Sequence, residues 1–166
     1  MRKSLVLIGM PGCGKSTLGV LLAKRLALGF VDTDLLIQEQ AVMRLSEYQG
    51  THGMAAFRDL ESRVLMAVKD EGTVVATGGS AVYHPKAMAH LKALGHVVYL
   101  NVPLEQIRQR IGKLEDRGVV IAPGASLVDL VAEREPLYRQ YADFELSCGS
   151  RPLSDLLDDL VRWWGA

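Results

Sequence analysis

Gly9, Gly14, Lys15 and Ser16 stand in the run GMPGCGKST with the spacing G-x-x-x-x-G-K-S, directly after the apolar run SLVLI and before the periodic leucines Leu18, Leu21, Leu22 and Leu26. A strand, a glycine-rich turn and a helix in that order make a phosphate-binding loop. Glycines at Gly12 and Gly14 let backbone N–H groups turn inward, and the helix N-terminus adds partial positive charge through Ser16 and Thr17. Lys15 supplies an ammonium for the outer phosphates, and Ser16 an oxygen for a magnesium ion. The chemistry indicated is that of a nucleoside triphosphate with Mg²⁺. Cys13, inside the loop, reads as a small filler.

Two carboxylates, Asp32 and Asp34, follow the second apolar run in FVDTDLL. Acids at the C-terminal end of a parallel strand stand where such sheets bind ligands, one for a metal and one for an acceptor. The same pattern also describes a helix N-cap with an acid in the first turn. Both readings are open at this point.

The elements that must position these groups are short. SLVLIG, GFVD, TVVAT, HVVYL and FELSC alternate with longer stretches of helical period, which predicts a five-stranded parallel sheet with crossover helices, an α/β fold. Residues 54 to 68 predict a helix with Met54, Phe57, Leu60, Val64, Leu65 and Val68 inward. Leu153, Leu156, Leu157, Leu160, Val161 and Trp164 mark a last amphipathic helix. Ser126, with Asp129 three residues on, reads as the N-cap of another. Between Gly112 and Gly124 periodicity fails, which predicts one long loop.

The chain has 166 residues, 49% of them hydrophobic, enough for a single domain over residues 1–166. Acidic and basic residues balance at 19 each, so no net positive field favours nucleic acid or an anionic membrane. The expected partner is a small molecule. No apolar run approaches the roughly 20 residues of a membrane span, and the first ten residues give way to PGCGKST rather than to a cleavage site. With two cysteines and no metal-ligand spacing, a cytoplasmic protein is expected.

GMPGCGKST, DTD, FRDLE, ATGGS and REPLY occur in the order and approximate spacing of the shikimate kinases, and the chain resembles that family over most of its length. The resemblance implies a P-loop NTPase of the nucleoside-monophosphate-kinase kind, a three-layer αβα fold with a mobile lid at about 112–124. It also implies ATP, Mg²⁺ and a hydroxylated carboxylic acid as acceptor. A monomer is expected.

Residue by residue, the resemblance gives Asp34 to the acceptor hydroxyl and Asp32 to the metal. It gives Arg58 and Arg134 to the acceptor carboxylate, a pairing that suits the forked donors of a guanidinium. Taken by themselves, Arg58 would pair on a helix surface with Glu61 three residues on, and Arg134 would be a solvated charge between Glu133 and Glu135. Gly78 and Gly79 match a turn lying against the acceptor. Ser80 stands where the family usually has a third glycine, and its side chain would narrow the pocket or add a hydroxyl donor. Arg110 and Pro152 match the residues that sandwich the adenine, with an exposed helix charge as the plain reading of Arg110. Arg117 matches the lid arginine beside the transferring phosphoryl group, although the family's Arg-Pro-Leu-Leu reads RGVV here. Met54 replaces a common glutamate.

Phosphorylation of shikimate at its 3-hydroxyl, in aromatic amino-acid biosynthesis, is the leading expectation, with Lys15, Asp34 and Arg117 as the catalytic set. The alternative acceptor is homoserine, favoured by Ser80 and the altered lid. A nucleotide-gated binding module without turnover is the third reading, and an intact lysine, metal serine, acidic pair and lid arginine weigh against it.

Overall fold

The computed structural model describes residues 2–111 and 125–165, so the lid expected over 112–124, with Arg117, lies outside the described residues. Five strands form: β1 (Ser4–Ile8), β2 (Gly29–Asp32), β3 (Thr73–Ala76), β4 (Gly95–Asn101) and β5 (Phe144–Ser147). Each falls within a residue or two of a run read from the sequence. All pair in parallel, in the order β2-β3-β1-β4-β5. β1 is central, and its Leu5, Val6, Leu7 and Ile8 are fully buried, as a strand covered on both faces requires.

Eight α-helices connect the described strands: α1 (Lys15–Leu26), α2 (Thr33–Ala41), α3 (Leu45–His52), α4 (Met54–Ala67), α5 (Pro85–Leu94), α6 (Leu104–Ile111), α7 (Leu127–Tyr141) and α8 (Leu153–Trp164). The chain moves outward from β1 to β2 one way and from β3 through β4 to β5 the other. Right-handed crossovers therefore put α1 on one face and α4, α5 and α7 on the opposite one. α8 packs against α1, and α4 against α5, completing three layers. Ser126 caps α7 as read: its Oγ accepts from the Asp129 N–H at 3.2 Å, and the Asp129 carboxylate accepts from the Ser126 N–H at 3.0 Å.

Two apolar clusters result. The main one follows the sheet and includes Leu156, Leu157 and Leu160 of α8, whereas Leu153 is 39% exposed at the start of that helix. A smaller one, around Ile37, Phe57, Leu60 and Val64, joins α2, α3 and α4. This second cluster makes the α2–α4 segment a unit beside the sheet's C-terminal edge. Among the described residues no helix is long and apolar enough to cross a membrane.

Candidate active site

The loop between β1 and α1 has its glycines at positive φ, +148° at Gly9, +76° at Gly12 and +95° at Gly14. Such angles free the backbone N–H groups to turn inward, and a side chain at Gly12 would press on Ile111 at 3.0 Å. Lys15 is buried, and its ammonium donates to the Gly9 and Met10 carbonyls at 2.6 and 2.8 Å and to Cys13 Sγ at 3.5 Å. Its charge is thereby held inside the loop.

Ser16 Oγ donates to Asp32 Oδ2 at 2.5 Å. The other Asp32 oxygen caps α2, accepting from the N–H groups of Asp34 at 2.9 Å and Leu35 at 3.4 Å. The N-cap reading of this acid is observed, and the cap uses one carboxylate oxygen while the other faces Ser16. Two hard oxygen ligands side by side fit Mg²⁺, which takes few protein ligands and keeps phosphate and water for the rest.

Asp34 is pushed up to about 6, first by burial, then by the neighbouring Asp32 and Glu61, with Lys15 opposing. In the unfolded chain it titrates near 3.8. Below that value both states are neutral at this group; above about 6 both are ionised and the folded state carries the full cost, about 3 kcal/mol. Asp34→Asn should therefore melt higher than the parent at pH 8, with the difference vanishing as the pH falls to 4. Equal melting curves at both pH values would show that the Asp34 charge is not burdened by its surroundings.

Gly78 and Gly79 are glycines because the space is already taken. A Cβ on Gly78 would sit 2.6 Å from Asp34 Oδ1, and one on Gly79 would meet Pro11 Cδ at 2.6 Å and Arg134 Nη1 at 2.9 Å. The turn thus lies between the acid on one side and the phosphate loop and arginine on the other. Arg134 is not the solvated charge that its flanking glutamates suggest. It is fully buried, its Nε donates to the Tyr83 hydroxyl at 3.2 Å, and its guanidinium lies 5.2 Å from the Tyr83 ring centre. Tyr138, also buried, donates its hydroxyl to the Gly79 carbonyl at 2.7 Å.

Glu61 and Ser80 differ from what the sequence suggested. Glu61 is 1% exposed, and both its oxygens accept from Ser80 Oγ, at 2.6 and 2.9 Å. His84 Nε2 lies 2.8 Å from Glu61 Oε1. The helical pair Arg58–Glu61 is not formed, and the Ser80 hydroxyl turns to the glutamate. Ser80 is buried and does not line the cavity. Arg58 is exposed on α4 and makes no hydrogen bond or ion pair among the described residues.

A cavity of about 790 Å³ runs across these parts. Gly12, Gly14, Lys15, Ser16 and Thr17 line its centre, and Asp34, Gly78 and Gly79 one end. Arg110, exposed as its plain reading has it, lines the other end, about 4.0 Å from where a Gly14 Cβ would stand. Pro152 caps α8 just outside, with its neighbours Arg151 and Leu153 on the wall. Arg58 and Arg134 are not among the lining residues. Gln38, Arg44 and Leu45 are, and nothing in their spacing announced it; they reach the cavity only because the small cluster folds α2 and α3 over it.

Two unlike ends joined by a phosphate loop suit group transfer between a nucleotide and a second small molecule. Comparison with known proteins agrees. The profile of the family described as shikimate kinase matches residues 11–163. The chain is 39% identical to a shikimate kinase of Nitrobacter winogradskyi over 96% of its own length and 75% of the relative's. With one of Caldanaerobacter subterraneus subsp. tengcongensis it is 33% identical, over 96% of this chain and 95% of that one. Among solved structures, the shikimate kinase of Acinetobacter baumannii in complex with shikimate superposes with a TM-score of 0.87 at 30% identity, covering 98% of this chain and 93% of that one.

Proposed function

The chain belongs to the shikimate kinase family, and from that premise we propose that it transfers the γ-phosphoryl group of ATP to the 3-hydroxyl of shikimate, as one domain and as a monomer. It is a phosphotransferase acting on a hydroxyl group. The observation that carries the reading is the cavity with the phosphate loop at its centre and Asp34 against the Gly78–Gly79 turn at one end.

In this reading Asp34 accepts the proton of the acceptor hydroxyl as its oxygen forms the new bond to the γ-phosphorus, and the bond to the bridging oxygen breaks to leave ADP. Its pKa near 6 keeps it ionised at neutral pH and close enough to neutrality to act as a base. Lys15 offers its ammonium to the charge that develops on the phosphate oxygens. Ser16 and Asp32 would hold Mg²⁺, which when bound would neutralise phosphate charge. Arg58 and Arg134, outside the cavity lining, take the acceptor carboxylate by their match to the family's arginines, and Arg134 also stands against the Gly78–Gly79 turn. Arg110 and Pro152 hold the adenine. Arg117, by its match to the family's lid arginine, joins them at the phosphoryl group.

The test is ADP production with shikimate, homoserine, gluconate and nucleoside monophosphates at saturating Mg·ATP. Shikimate should give the highest kcat/KM by about 10⁴-fold or more, because a site that pairs several hydroxyls leaves polar groups unsatisfied around a linear acid. A clear preference for homoserine would overturn the acceptor and leave the phosphotransferase standing.

A further inference from the structure

We propose that Ser80 and His84 keep Arg58 available to the acceptor by sequestering Glu61, the acid three residues on along the same helix. The inference rests on Arg58 being a carboxylate clamp, as proposed above. Glu61 follows Arg58 by three residues on α4, the spacing at which a helix brings an acid and an arginine together. Left to the helix alone, the two would form an ion pair. Instead the Glu61 carboxylate is turned inward, with both oxygens on Ser80 Oγ and one also on His84 Nε2.

The energetic sense of this arrangement is clear from burial. A carboxylate that is 1% exposed needs hydrogen-bond donors of its own, and Ser80 and His84 provide them from two other places in the chain. Glycine at position 80, usual in the family, has no hydroxyl to give. Arg58, meanwhile, has no ion-pair partner among the described residues and lies on the exposed side of α4, where a guanidinium has most to gain from a substrate carboxylate. Ser80 and His84 are thus positioning residues that act on acceptor affinity through Glu61. Neither needs to touch the acceptor.

The decisive comparison is between Ser80→Ala/His84→Ala and the same variant carrying Glu61→Gln, with KM for shikimate and for ATP measured in each. Removing both donors frees Glu61 to turn to Arg58, and KM for shikimate should rise about fivefold, the upper range that an exposed helical ion pair can withhold. KM for ATP should change less than twofold. Glu61→Gln added on top removes the competing charge, so KM for shikimate should return to within about twofold of the parent. A plain packing role would not be rescued in this way, and a raised KM that persists in the triple variant overturns the inference.

Arg58→Ala separates this failure from that of the clamp itself. An unchanged shikimate KM in Arg58→Ala overturns the clamp, and the present inference with it. A raised KM there, beside a parental KM in Ser80→Ala/His84→Ala, overturns the inference alone. Should the double variant not fold, Ser80→Ala with and without Glu61→Gln makes the same comparison with a smaller expected change.

Discussion

Asp34→Asn lowers kcat/KM for shikimate by roughly 10²–10⁴-fold, the range a positioned proton acceptor contributes, while the affinity for a nonhydrolysable ATP analogue stays within about twofold of the parent. The amide keeps the size and the place against Gly78 but accepts no proton. The same carboxylate sets the acid side of the pH profile of the parent enzyme. Because burial, Asp32 and Glu61 push it up to about 6, kcat/KM should be level at neutral pH and fall tenfold per unit well below pH 6. Isothermal titration and steady-state rates on one preparation decide the matter. An equal loss of nucleotide affinity would move Asp34 to the metal side of the site, and an acid limb near pH 4 would mean that its surroundings do not hold its proton.

Lys15→Ala lowers kcat by about 10²–10³-fold and raises KM for ATP about tenfold. The two changes belong together because the ammonium meets phosphate oxygens both before and during transfer. That ammonium lies inside the loop, on the Gly9 and Met10 carbonyls at 2.6 and 2.8 Å, and is buried rather than held in solvent. Steady-state kinetics with ATP varied at saturating shikimate give both constants. Turnover like the parent's would mean that this loop is not the catalytic phosphate site. A rise in KM alone, with kcat kept, would make Lys15 a ground-state contact only.

The phosphate loop was legible because everything it needs lies within eight residues of sequence, Gly9 to Ser16, and rests on local backbone angles that only glycine adopts easily. The strands were legible for a similar reason. Short β-branched runs between helical periods have few other folds open to them, and all five formed where read. Asp32 and Asp34 are two residues apart at a strand end, so their joint presence at the site followed from the strand itself. The lid and Arg117 lie outside the described residues, and their place rests on the resemblance.

Polar residues on helices were not legible in the same way. Periodicity assigned α4 an apolar face but gave no sign that Glu61 would share it, because the donors that make its burial possible stand 19 and 23 residues further on, at Ser80 and His84. Arg134 looked solvated between two glutamates, yet Tyr83 and the Gly78–Gly79 turn enclose it. A buried charge is tolerable only where other elements bring it hydrogen bonds, and which elements do so depends on the order β2-β3-β1-β4-β5 and on α2 and α3 folding onto α4. The sequence by itself determined the strand–loop–helix that binds phosphate, the acid pair beside it and the parallel α/β class, since each is a matter of neighbouring residues. The tertiary structure alone decided which charges are buried, that Ser80 serves Glu61 rather than the cavity, and that Arg58 does not pair with Glu61, because those outcomes depend on contacts between residues far apart in the chain.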